Sequence, residues 1–203
     1  MLKLYDIVPH LKTVVKETGY IDLRSLWFLH NLVKNIKPMR IIELGTGYGC
    51  STIFMALGLH SSGKIYSVDD YRGDVSESIE RTQSNIDKCG VSKLVQLIEG
   101  DTRNVIQIDK GPAKLVFMDA SHNPSDLFAE LAALQPNLSG THILVIDDIF
   151  SVDLDKFIFD LMKNKMYLFV MLTDFHNGMA ILSNQAGALW GMVAKSMQEA
   201  GNV

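Results

Sequence analysis

The chain has 203 residues, of which 47% are hydrophobic and 21% charged, and a formal net charge of −4. That balance permits a full core in one large domain, and the acidic sign argues against a nucleic-acid partner, which usually demands a basic face. Cys50 and Cys89 are too few and too far apart for a disulfide framework or a zinc ribbon, and no stretch approaches a transmembrane helix in length.

Both cysteines are therefore expected as packing thiols in a reducing compartment. The opening MLKLYDIVPHLKTVVKETGY has no uninterrupted apolar run, so no signal peptide is expected, no membrane partner either, and the protein reads as cytoplasmic. Two amphipathic helical patterns come first, over 2–17 and 22–36. Short apolar runs then alternate with helical ones. RIIEL (40–44), KIYSVD (64–69), LVQLIE (94–99), KLVFMD (114–119) and HILVID (142–147) predict strands. Between them lie CSTIFMALGL, SESIERTQSNIDKC, a short turn near 102–109, and PSDLFAELAALQ. Asp74 with Glu77 three residues on has capping-box spacing for the second of these, and Gly90 is placed to stop it. Nearly all-apolar strands separated by helices indicate a parallel sheet covered on both faces. Ser151 is placed to cap VDLDKFIFDLM. MYLFVML (166–172) and MAILS (179–183), with Asn177-Gly178 as turn signal, predict an antiparallel pair. Residues 186–200 predict a closing helix. Without a repeat, linker or low-complexity tract, the reading is one domain over 1–203: a helical segment at 1–36, a core at 38–183, and a helix or tail at 184–203.

RIIELGTGYGC (40–50) carries the first functional signal, because Gly45, Gly47 and Gly49 alternate straight after a strand. In open parallel sheets, ligands sit outside the carboxyl ends of the strands. Asp69 ends the second strand, 20 residues after Gly49, where an acid accepts hydrogen bonds from ribose hydroxyls. To this point a nicotinamide dinucleotide fits equally well. Three details separate the two readings. The spacing is G-x-G-x-G, not the dinucleotide G-x-G-x-x-G. Glu43 would repel a pyrophosphate and suit a cationic ligand. Asp101, in EGD, adds a further acid at the end of the third strand. A ligand with an ammonium and a sulfonium but no phosphate, such as S-adenosylmethionine, suits that surround.

On these residues the sequence resembles the class I S-adenosylmethionine-dependent methyltransferases. ELGTGYGCST looks like their first motif, VDD (68–70) their ribose-binding acid, and LIEGD (97–101) the segment flanking adenine. SNIDKCGVSKLVQLIEGD and the terminal antiparallel pair are similar too, so the resemblance covers about residues 38–183. It implies a Rossmann-like α/β fold: a doubly wound, mostly parallel seven-stranded sheet with the last strand antiparallel and helices on both faces. It places Glu43 near the methionine ammonium, directly or through water. Gly45, Thr46, Gly47 and Tyr48 would line the methionine and ribose, Asp69 with Asp70 the ribose diol, and Asp101 with Thr102 the adenine. Tyr48 packing on a neighbouring helix stays an equal alternative.

For the methyl acceptor, the fourth strand end reads MDASHNPSD and lacks the Asn-Pro-Pro-Tyr type motif of methyltransferases that act on base amines. Asn123-Pro124 most simply starts the next helix. Asp119, Asp147 and Asp148 fall at adjacent strand ends, where they repel one another unless a cation or several donors compensate. Oxygen-only ligands suit Mg²⁺. Alternatively, one aspartate caps a helix and another binds only water. The catechol O-methyltransferase-like group has a metal-binding aspartate here, a lysine three residues later, and two further ligands at the next strand end. Asp119, His122, Asp147 and Asp148 stand in the matching places, with histidine for lysine. That change moves the resemblance toward macrolide and cephalosporin-pathway methyltransferases, which have a similar D-x-x-H stretch. The resemblance thus implies metal-assisted O-methylation of a small hydroxylated molecule. Asp119 and His122 would be catalytic, with Asp119 also adjoining the cofactor, and His122 either a general base or a structural hydrogen-bonding residue. A metal-free methyltransferase using His122 alone and a non-catalytic S-adenosylmethionine-binding regulator remain as alternatives. Residues 1–36 are expected to supply part of the acceptor pocket, or a contact in a homo-oligomer. Asp174 and His176 lie in the last strand-joining loop, near the same edge.

Overall fold

The computed structural model describes residues 9, 21–73, 78–105, 108, 111–150, 154–164, 166–167, 169–173, 177–185 and 188–201. The chain runs α1 (Leu23–Ile36), β1 (Arg40–Leu44), α2 (Cys50–Gly58), β2 (Lys64–Asp69), α3 (Ile79–Lys88) and β3 (Val95–Glu99). It continues through β4 (Ala113–Met118), α4 (Pro124–Leu134), β5 (Leu138–Ile146), α5 (Leu154–Lys163), β6 (Phe169–Thr173), β7 (Met179–Ser183) and α6 (Ala188–Ala200). The strands form one seven-stranded sheet in the order β3-β2-β1-β4-β5-β7-β6. β1 to β5 pair in parallel, and β7 lies antiparallel between β5 and β6. This is the expected architecture.

Side chains alternate between faces along each strand, so a strand of continuous apolar residues feeds two cores at once. Ile41, Leu115, Phe117 and Val145 face α1, α2 and α6, packing with Leu29, Phe54 and Val193. Ile42, Val116, Leu144 and Ile146 face α4 and α5, packing with Leu127, Leu131 and Phe157. Helix α1 starts at Asp22, whose carboxylate accepts from the Arg24 and Ser25 N–H groups at 2.6 and 3.0 Å. Its Leu26, Phe28, Leu29, Leu32 and Val33 are fully buried against α2 and α6, so this part of the N-terminal segment builds core.

Several boundaries differ from the sequence expectations. Helix α3 begins at Ile79 with Ser78 as N-cap, its hydroxyl accepting from the Arg81 N–H, which is later than Asp74 and Glu77 suggested; residues 74–77 lie outside the described residues. Gly90 does end it, at φ +69, with Val91 N–H on Ile86 O and Gly90 N–H on Asp87 O, the paired closure that a left-handed residue makes after a helix. Strand β5 begins at Leu138, earlier than expected, because Leu138 pairs with Ala113 across a register irregularity. Most of 2–17, together with Ser151, Asp174 and His176, lies outside the described residues. Among the described residues no helix is long and apolar enough to cross a membrane.

The register sets the site. Leu44 pairs with Val68 on one side and Met118 on the other, so β1, β2 and β4 end level. Each strand end then zips to its neighbour: Gly45 N–H to Val68 O, Asp119 N–H to Leu44 O, and Asp147 N–H to Met118 O. The loops carrying Gly45, Asp69, Asp101, Asp119 and Asp148 thereby emerge along one edge, around a cavity of about 490 Å³.

Candidate active site

At the β1 end, Gly45 sits at φ +89, and a Cβ there would lie 2.4 Å from Asp119 O and 2.7 Å from Ala120 N. Only glycine lets the two loops cross so closely. The loop then aims its Thr46 and Gly47 N–H groups at Asp69 Oδ2, at 2.6 and 2.8 Å, while Tyr71 N–H reaches Oδ1 at 2.7 Å. Helix α3 holds the loop from outside: Thr82 Oγ1 donates to Gly47 O and Asn85 Nδ2 to Tyr48 O. Gly45, Thr46, Gly47, Tyr48, Asp69 and Asp70 all line the cavity. Tyr48 lines the cavity and also packs on a neighbouring helix, where Arg81 of α3 stacks on its ring at 4.6 Å.

Glu43 requires a correction. It is fully buried and stands behind the cavity wall, absent from the lining residues. Ser51 Oγ donates to Oε1 at 2.6 Å, and Thr52 Oγ1 and Ser67 Oγ both donate to Oε2 at 2.5 Å. Burial still outweighs these three hydroxyls and pushes its carboxyl up to about 7. Ser51 lines the cavity, so Glu43 adjoins it through the Ser51 hydroxyl.

At the β3 end, Asp101 and Thr102 line the cavity. Hydrogen bonds from Arg103 hold the Asp101 carboxyl at about 2, and Arg103 also reaches Asp126 Oδ1 at 3.2 Å. Thr102 Oγ1 donates at 2.5 Å to Glu130 Oε1, on α4. Glu130 lines the cavity, is fully buried, and burial pushes its carboxyl up to about 7. Sequence reasoning missed this residue. The available signal was its spacing: Glu130 falls in one stripe with Leu127, Leu131 and Leu134, the buried face of α4.

At the β4–β5 end, Asp119, His122 and Asp148 line the cavity, and one ligand atom from each lies within 4.8 Å of the others. His122 Nε2 is 3.0 Å from Asp148 Oδ2, and that contact, ahead of burial, raises the imidazole above its ordinary value. Asp119 is pushed well above the usual carboxylate range by burial, then by Asp147 and Asp148. The expected convergence of three aspartates is corrected here. Asp147 is only 2% exposed and does not line the cavity, and His122 takes its place in the convergent group. Consecutive side chains of an extended strand point to opposite faces, and Asp147 and Asp148, straight after the strand end, part in that way; Asp148 itself sits at φ +56. Two carboxylates and an imidazole are donors that a divalent cation accepts, and a cation would relieve the repulsion at Asp119. The imidazole extends the fit from Mg²⁺ toward Mn²⁺.

Residues 42–149 match the family model described as a methyltransferase domain. A catechol O-methyltransferase from Niastella koreensis is 29% identical over 126 residues, covering 60% of this chain and 54% of that protein. A rhamnosyl O-methyltransferase from Mycobacterium bovis is 23% identical over 137 residues, covering 63% of this chain and 52% of that protein. The chain thus spans about half the length of these curated relatives. The crystal structure of an O-methyltransferase from Bacillus cereus in complex with SAH is similar in fold, with a TM-score of 0.65 at 17% identity over 90% of this chain and 92% of the other.

Proposed function

We propose, since the chain belongs to the class I S-adenosylmethionine-dependent methyltransferase family, that it transfers a methyl group from S-adenosylmethionine to a hydroxyl oxygen of a small molecule. The observation that carries this reading is one cavity joining the Asp69-centred glycine loop to the Asp119–His122–Asp148 group. A donor at the first end and an acceptor at the second would meet within it. The relatives' names support oxygen as the methylated atom, and their acceptors differ, so the pocket walls would set the substrate. Ile21 lines the cavity and would form part of that wall. The two free, buried cysteines suit a cytoplasmic enzyme.

The reaction is an in-line displacement: the acceptor oxygen bonds the methyl carbon as the carbon–sulfur bond breaks, leaving S-adenosylhomocysteine. Much of the acceleration then comes from alignment. Ser51, backed by Glu43, would face the ammonium, and Asp69 would accept from the ribose diol. His122 would take the hydroxyl proton at Nδ1, the ring nitrogen not engaged by Asp148, while Asp148 Oδ2 accepts from Nε2–H and stabilises the imidazolium that forms. Asp119 and Asp148, with Asp147 behind them, would hold a divalent cation, whose chemistry is to acidify and orient the acceptor hydroxyl. The His122–Asp148 contact also favours a second reading, in which His122 handles the proton without metal.

Titration calorimetry with S-adenosylhomocysteine and with NAD tests the cofactor. We expect binding of the first alone; NAD binding without S-adenosylhomocysteine binding sinks the proposal. Radiolabelled methyl transfer from S-adenosylmethionine to a panel of catechols and glycosides tests the chemistry. EDTA should abolish turnover and Mg²⁺ or Mn²⁺ restore it, whereas EDTA-resistant turnover selects the metal-free reading.

A further inference from the structure

Two acids stand at the β3 end of the cavity, and they differ in what they can offer a ligand. Asp101 has both oxygens on Arg103: Oδ1 accepts from the backbone N–H and from Nε, each at 2.9 Å, and Oδ2 accepts from a terminal guanidinium nitrogen at 2.8 Å. Glu130, on the same wall, gives Oε1 to the Thr102 hydroxyl at 2.5 Å, while its Oε2 is buried with no hydrogen-bond partner. A buried carboxylate oxygen left without a donor is costly, and such an atom on a cavity wall marks the place of a ligand's donor.

S-adenosylmethionine carries three sets of donors: the ammonium, the ribose diol and the 6-amino group of adenine. Ser51 with Glu43 faces the first and Asp69 the second, both at the β1–β2 end, which leaves the third for the β3 end. Resting on the proposed cofactor, we propose that Glu130, and not Asp101, reads the adenine, its Oε2 accepting a hydrogen bond from the 6-amino group. Asp101 then acts at one remove, holding Arg103 against Asp126 to close the side of the pocket. The assignment makes Glu130 a specificity-determining residue. With Glu130 ionised, above about pH 7, a 6-oxo purine would set a carbonyl oxygen against Oε2, acceptor against acceptor, and be rejected.

The test compares S-adenosylhomocysteine with its 6-oxo counterpart, S-inosylhomocysteine, by calorimetry on the whole chain at a pH above 7, where Glu130 is ionised. Wild type should favour the adenine compound by roughly 10- to 100-fold, the span for a hydrogen bond to a charged group. Glu130→Gln presents an amide donor, and the preference should collapse to near parity or invert. Asp101→Asn should weaken both ligands alike and leave their ratio intact. Equal wild-type affinities, an unchanged ratio in Glu130→Gln, or loss of the ratio in Asp101→Asn would each overturn the assignment. If Glu130→Gln does not fold, as thermal melting would report, the wild-type ratio and Asp101→Asn still decide it. Failure of wild type to bind either compound overturns the cofactor itself, a different outcome from binding both equally.

Discussion

Glu43 and Asp69, at the β1–β2 end of the cavity, each accept three hydrogen bonds from hydroxyls or backbone N–H groups. At the β4–β5 end, Asp119 has Asp147 and Asp148 as its nearest electrostatic company, and each raises its proton affinity. The first end holds both its carboxyls in hydrogen bonds from the fold itself. The second gathers like charge and draws its compensation from a proton, a cation or His122. On the proposed function the first end recognises the cofactor and the second carries the chemistry, so perturbing each should damage a different measurement.

The largest effect is expected at the second end. His122→Ala should lower kcat by roughly 10²–10⁴ while S-adenosylhomocysteine affinity, read by calorimetry, stays near wild type. Wild-type turnover at pH 7 in that variant would return His122 to a structural role.

Where the two ends touch, Gly45→Ala should destabilise by about 2–4 kcal/mol, because the new Cβ meets Asp119 backbone atoms at 2.4 and 2.5 Å at a positive φ. Urea unfolding measures it, and a loss within 0.5 kcal/mol (about the surface-substitution range) would mean that the loops separate freely. At the first end, Asp69→Ala should weaken S-adenosylhomocysteine binding by roughly 1.5–3 kcal/mol with kcat little changed. Unchanged affinity would remove Asp69 from the ribose.

The smallest signal is a slope. A carboxyl raised by folding, as Glu43 is to about 7, contributes stability that is fully present below its unfolded value near 4.5 and is lost as pH rises through about 7. Glu43 alone should cost the free protein about 1 kcal/mol per pH unit inside that window. Glu43→Gln should remove that component, leaving a flatter melting profile between pH 4.5 and 7. Identical profiles would show that Glu43 stays charged in the fold.

Much of this architecture is legible in the sequence because period-two burial and helix stops act locally. The strands at 40–44, 64–69 and 179–183 match residue for residue, and Gly90 stops α3 where its missing Cβ allows a left-handed turn. The cavity-lining set from Gly45 to Tyr48, with Asp69, Asp101, Asp119 and His122, is legible through the motifs and the family resemblance they carry. What escaped depends on tertiary partners. Nothing near Glu43 in the sequence announces that Ser67, from the neighbouring strand, completes its hydroxyl set. Which of Asp147 and Asp148 faces the cavity depends on how the β5 end sits in the sheet, and the pairing of Asp101 on which way Arg103 folds back. Glu130 was hidden by habit, since a glutamate in a helix normally reads as solvated.

The placement of β7 between β5 and β6 has a consequence for how the chain is made. During synthesis β6 leaves the ribosome before β7, yet its recorded sheet partner is β7, and β7 alone bridges it to β5. The parallel sheet through β5 can assemble as it emerges, but its β5 edge stays open until residues 179–183 arrive. For that interval β5 presents unpaired backbone groups along Ile143–Ile146, a template for any extended segment nearby. The last hairpin is therefore the lock of the fold, and the nascent chain is most exposed to wrong pairing just before it closes.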